Sequence, residues 1–72
     1  MSEQEYILND DFIELSQLLK VSNLVSSGGE AKLFINDGKV KVNGIIETRK
    51  KKKLYNGDQI QFQETTIKLI KN

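Results

Sequence analysis

The chain changes hydrophobic period several times, and each change marks a new element. Tyr6-Ile7-Leu8 is a short apolar run closed by Asn9-Asp10, which predicts a brief strand. Phe12, Leu15, Leu18 and Leu19 then recur at three- and four-residue spacing. They form one apolar stripe on a helix capped by Asp10 or Asp11 and running to about Lys20, whose charge suits the negative helix end. Val21-Ser22-Asn23 breaks the pattern. Ser26 or Ser27 offers a hydroxyl cap for a second helix reaching about Asn36, with Ala31, Phe34 and Ile35 facing the core. Glu30 stands three residues after Ser27, the spacing of a capping box, and Gly38 can end the helix in a left-handed conformation.

Beyond Gly38 the period becomes two. Lys39-Val40-Lys41-Val42 turns two valines inward and two lysines outward, as a half-exposed strand does. Asn43-Gly44 is a tight-turn signal, and Ile45-Ile46-Glu47-Thr48 resumes as a strand. A basic run, Arg49 to Lys53, precedes Leu54-Tyr55 and a further turn at Asn56-Gly57-Asp58. Gln59-Ile60-Gln61-Phe62-Gln63 alternates with Ile60 and Phe62 inward, and a turn near Glu64-Thr65 leads into Thr66-Ile67-Lys68-Leu69-Ile70. The whole predicts an α+β domain over residues 1–72, two helices on a small and mostly antiparallel β-sheet.

With 72 residues the core must be small, and chains below about 70–80 residues often need a disulfide or metal staple. No Cys and no His are present, so neither staple is available and no metal or other cofactor is expected. The same absences remove the commonest general base and the strongest nucleophile. Asp10-Asp11 is a carboxylate pair that a helix N-terminus explains without catalysis, so a binding protein rather than an enzyme is expected. No apolar run approaches the roughly 20 residues that span a bilayer, and the acidic start lacks the features of a signal peptide. A cytoplasmic protein with no membrane partner is the expectation.

Net charge is only +1, yet it is unevenly spread. Residues 1–30 carry six carboxylates and one lysine, whereas residues 31–72 carry ten Lys or Arg and four carboxylates. Three features of the basic part could meet a polyanion. Ser27, Gly28 and Gly29 open a helix whose free amides and partial positive charge suit a phosphate, although Glu30 competes for the same end and a tight interhelical turn explains the glycines equally well. Arg49, Lys50, Lys51, Lys52 and Lys53 repel one another; they form either a solvated loop or a clamp on a nucleic-acid backbone. Arg49 could add a bidentate contact. Lys39 and Lys41 on one strand, with Lys32 on the second helix, complete the set; alone, such lysines also serve to protect a sheet edge. Tyr55 is the best-exposed aromatic and Phe34 and Phe62 fall at core positions, which weighs against a platform of stacked bases and favours recognition of folded RNA by backbone and shape.

The order Ser26-Ser27-Gly28-Gly29-Glu30-Ala31-Lys32, Gly38-Lys39-Val40-Lys41-Val42-Asn43-Gly44 and Gly57-Asp58-Gln59-Ile60 resembles the S-four RNA-binding domain over about residues 11–63. Within that family it is most similar to the short, free-standing YaaA-like or YbcJ-like bacterial proteins, through Leu19-Lys20, Ser27 to Lys32, Val42-Asn43-Gly44 and Glu47-Thr48-Arg49 through Lys53-Leu54. The resemblance implies two antiparallel helices against a small sheet, the αL motif, with an RNA surface combining the second helix and the strands that follow. Ser27, Lys32, Lys39, Lys41 and Arg49–Lys53 fall on that surface. The wider family often starts its second helix with Ser-Arg. Gly28 and Gly29 stand here instead, so backbone amides would replace an arginine contact.

The expectation is therefore a monomeric, non-catalytic module binding structured RNA such as ribosomal RNA, in ribosome assembly or translation, with room for a protein partner. Two alternatives stay open. One is a protein-interaction adaptor docking through the acidic first helix and an edge strand; the other is a DNA-side role in replication or repair.

Overall fold

A computed structural model describes residues 2–72. Its elements are β1 Ser2–Leu8, β2 Ile13–Glu14, α1 Leu15–Val21, α2 Gly28–Asn36, β3 Val40–Val42, β4 Ile45–Ile46, β5 Lys53–Leu54, β6 Gln59–Phe62 and β7 Thr65–Lys71. Five strands form one sheet in the order β1-β7-β6-β3-β4, and β2 pairs with β5 in a separate two-stranded ribbon. All pairs are antiparallel except β1 with β7, which run parallel from Ser2 opposite Thr65 to Leu8 opposite Lys71. The two-helix, mostly antiparallel arrangement is thus as the sequence predicts, with one parallel pair added at the edge.

Alternation sets which face of the sheet is covered. Val40, Val42, Ile60, Phe62, Ile67 and Leu69 point inward and are buried, while Lys41, Gln59, Gln61 and Lys68 between them stay exposed. Leu15, Leu18 and Leu19 of α1 and Ala31 and Ile35 of α2 close the same core. Phe34 packs edge-on against Phe62 with ring centroids 4.9 Å apart. No polar or charged residue is buried among the described residues, so burying apolar surface, at roughly 1.5–3 kcal/mol per large side chain, holds this core together.

The ends of α2 follow local chemistry. The Ser27 hydroxyl accepts from the Glu30 amide at 3.3 Å, and the Glu30 carboxylate reaches back to the Ser26 amide at 2.9 Å, one residue beyond the usual capping-box partner. At the other end Gly38 takes φ +74°, and the Gly38 and Lys39 amides donate to the Ile35 and Phe34 carbonyls, a Schellman closure. Helix α1 closes the same way with Asn23 in the left-handed position at φ 60°.

The start of α1 departs from expectation. Asp10 and Asp11 do not cap it: the helix begins at Leu15, its N-cap is Glu14, and no side chain caps it. Ile13-Glu14 instead pairs with Leu54-Lys53, and the Leu15 and Ser16 amides donate to the Lys52 and Lys50 carbonyls at 2.9 and 3.0 Å. Backbone carbonyls from a distant loop thus satisfy the orphan amides, so no local cap is needed. Phe12, displaced from the helix, is 37% exposed rather than part of the buried stripe.

Candidate nucleic-acid interface

The basic run is held from below by its own backbone. Besides the bonds from Leu15 and Ser16, the Lys52 amide donates to the Arg49 carbonyl at 3.2 Å, and Lys53 enters the ribbon with β2. The Lys50 and Lys52 carbonyls bond the first turn of α1, and the side chains project. Lys50, Lys51 and Lys53 are exposed and Lys52 is half-buried. None of these four ammonium groups forms an ion pair among the described residues. Glu14, the N-cap of α1, stands opposite Lys53 in the ribbon, so the positive character of the site comes from the lysines themselves.

Arg49 behaves differently. Its Nε and Nη2 atoms donate to the two Glu47 carboxylate oxygens at 2.9 and 3.3 Å, and its amide adds a third bond to Glu47. The hydrogen bonds and charge of Arg49 hold the Glu47 carboxyl below its ordinary range, and Glu47 in turn raises the guanidinium. One edge of the Arg49 fork is engaged by Glu47, while the side chain stays 71% exposed with its remaining N–H donors free among the described residues. Its stem still lines the site.

Arg49 to Lys53 and Tyr55 surround a shallow depression of about 600 Å³. A second, of about 360 Å³, adjoins it and shares Lys52, Lys53 and Tyr55, with Val42, Asn43, Ile45, Glu47 and Asp58 completing its lining. A polar clasp fixes the wall between them. The Asn43 side chain accepts from the Gln59 amide at 2.9 Å and donates to an Asp58 carboxylate oxygen at 3.1 Å. The other Asp58 oxygen accepts from the Tyr55 amide at 2.8 Å. Asn43 and Gly44 take φ 54° and 84°, the positive values a two-residue hairpin turn requires. The Asn-Gly and Gly-Asp signals were legible as turns; that Asn43 and Asp58 tie the two turns together is visible only in three dimensions.

The remaining sequence-predicted residues lie elsewhere. Ser27 caps α2, Gly28 and Gly29 form its exposed first turn, and Lys32 is exposed one turn further along. Gly28 has no atom within 4 Å of where a side chain would begin, so its surface is open. Lys39 is exposed after Gly38, and Lys41 faces outward on β3 between Ile46 and Gln61. None of these six lines either depression. Sequence reasoning also missed a cluster beside the basic loop: Phe12 lies 6.2 Å from Tyr55, ring to ring, and the Lys53 ammonium sits 4.9 Å over the Phe12 ring. The helical spacing of Phe12 hid it by assigning that ring to the core.

The model of the S4 domain family matches residues 6–70 of the chain. The chain belongs to the S4 domain family. Over 58 residues it is 38% identical to YbcJ of Escherichia coli (strain K12), covering 81% of this chain and 83% of YbcJ. RlbA of Bacillus subtilis (strain 168), which bears the name of a probable ribosome maturation protein, is 36% identical over 56 residues, 78% of this chain and 79% of RlbA. The solution structure of E. coli YbcJ, reported to reveal an αL motif involved in RNA-binding, superposes with a TM-score of 0.71 at 34% identity, covering 92% of this chain and 85% of YbcJ. Among the described residues no helix is long and apolar enough to cross a membrane, and no cluster of acidic side chains could hold a metal ion.

Proposed function

We propose that this S4 domain is a non-catalytic RNA-binding module that engages the phosphate backbone of structured RNA, ribosomal RNA included, through the Arg49–Lys53 loop. One observation carries the reading. Four ammonium groups without carboxylate partners, Lys50 to Lys53, surround a depression and are held there by backbone bonds to the first turn of α1. A run of like charges fixed in this way stores repulsion that a polyanion relieves. The likeness to YbcJ and RlbA supports RNA as the polyanion and a place in ribosome assembly or translation as its setting. Lys32, Lys39 and Lys41, with the open first turn of α2 at Ser27, Gly28 and Gly29, extend the surface to a longer ligand. Arg49 serves it by pinning the loop through Glu47.

Fluorescence anisotropy at low salt, with structured ribosomal RNA fragments and duplex DNA of matched sequence, tests the reading. RNA should bind more tightly than DNA, and replacing Lys50–Lys53 by Gln should weaken both. Failure to bind either nucleic acid would turn the basic run into a solvated loop and direct attention to protein partners.

A further inference from the structure

The two depressions share Lys52, Lys53 and Tyr55 in their linings, and electrostatics does not account for the aromatic residue. Tyr55 is 50% exposed and lines both hollows, beside Lys52 and Lys53. Its backbone is locked: Asp58 accepts from its amide at 2.8 Å, the Asp58 amide donates to its carbonyl at 3.1 Å, and Asn43 holds the Asp58 carboxylate. Phe12 backs the ring at 6.2 Å, tilted by 50°, and lines neither hollow. Phe12 is itself steadied by the Lys53 ammonium over its face. A half-exposed aromatic residue on a locked backbone, with Phe12 beside it and basic hollows adjoining it, is preorganised to receive a flat π-surface.

We propose that Tyr55 stacks on a single unpaired nucleobase of the bound RNA, so that the preferred ligand is a helix interrupted by a bulged or junction nucleotide rather than an uninterrupted duplex. The inference rests on the RNA-binding reading and makes it narrower. Bases inside a duplex are stacked on one another and cannot reach a side chain, whereas an extruded base can lie on Tyr55 while its flanking phosphates meet Lys50 to Lys53. One ring serves one base, which accords with the scarcity of other exposed aromatics at the hollow.

The test is anisotropy with two RNA hairpins that differ only by one bulged nucleotide, the bulge also being prepared as fluorescent 2-aminopurine. Wild type should prefer the bulged hairpin by on the order of 10-fold, the scale of one base–aromatic stack, and should quench the 2-aminopurine. Tyr55→Ala and Tyr55→Leu should lose the quenching and bind the bulged hairpin no more tightly than the uninterrupted one, and Tyr55→Phe should keep both the preference and the quenching. Tight binding of both hairpins with no preference would overturn the stacking role and leave the RNA-binding reading standing. A preference that survives in Tyr55→Leu would equally overturn it. No binding to either hairpin at low salt would overturn both.

Discussion

Replacing Asn43 by alanine should destabilise the whole protein although the residue is exposed. The substitution removes the bonds to the Gln59 amide at 2.9 Å and to Asp58 at 3.1 Å. Each is partly hydrated, so together they contribute about 1–2 kcal/mol. Asn43 also holds φ 54°, a conformation that costs an alanine about 1 kcal/mol. The sum is about 2–3 kcal/mol, which for a domain of this size lowers Tm by about 10–20 °C. Asn43→Gly keeps the backbone conformation and should lose only the hydrogen-bond part, about 1–2 kcal/mol. Asp58→Ala loses the bond to Asn43 and the one from the Tyr55 amide. The Asn43–Asp58 bond is common to both single variants, so the double variant Asn43→Ala/Asp58→Ala should be less destabilised than their sum by about 0.5–1 kcal/mol. Urea denaturation followed by circular dichroism measures all four variants. Strict additivity would refute the clasp as a unit joining the β3–β4 turn to the β5–β6 turn.

Three further outcomes follow from the core, the cap and the ion pairs. Phe62→Ala should cost about 3–5 kcal/mol, because a ring that is 2% exposed and packed on Phe34 leaves a cavity; the urea midpoint should fall far enough that a near-native midpoint would deny Phe62 its central place. Ser27→Ala should cost about 1 kcal/mol and Ser27→Gly only a few tenths, and equal losses would mean that the hydroxyl is not capping α2. Hydrogen bonds from Lys71 and Arg49 hold the Asp11 and Glu47 carboxyls below their ordinary values. The stability these pairs contribute is therefore present above the ordinary carboxylate range and lost as pH falls through the lowered values. Tm should decline on acidification, by less in the variant Asp11→Asn/Glu47→Gln; an identical decline in both proteins would show that these pairs contribute nothing.

The parts of the fold written in local patterns were legible. Helix α2 follows from Ser27, Glu30 and Gly38, each of which acts within four residues of the position it caps or closes. Strands β3 and β6 follow from strict alternation, and Asn43-Gly44 from its tolerance of positive φ. What failed depended on contacts far along the chain. The amides of Leu15 and Ser16 find carbonyls more than thirty residues away in the basic loop, so α1 starts without the acidic cap that Asp10-Asp11 offered. β1 extends through Ser2-Glu3-Gln4-Glu5, a stretch of low strand propensity, because β7 supplies a full-length parallel partner and sets Glu5 opposite Lys68. At the site, the basic run was evident from composition alone. That Glu47 engages the Arg49 fork, and that Phe12 and Tyr55 meet beside Lys53, required the fold to bring residues 12, 47 and 55 to one loop.

The dependence of RNA affinity on salt tests the central claim most directly. Each backbone phosphate neutralised steepens the slope of log affinity against log salt by about 0.9 on a duplex and about 0.7 on a single strand, figures established on DNA. If Lys50, Lys51, Lys52 and Lys53 each meet a phosphate of structured RNA, replacing all four by Gln should flatten that slope by about 3. A slope unchanged in the Gln variant would place the RNA on another surface and contradict the account.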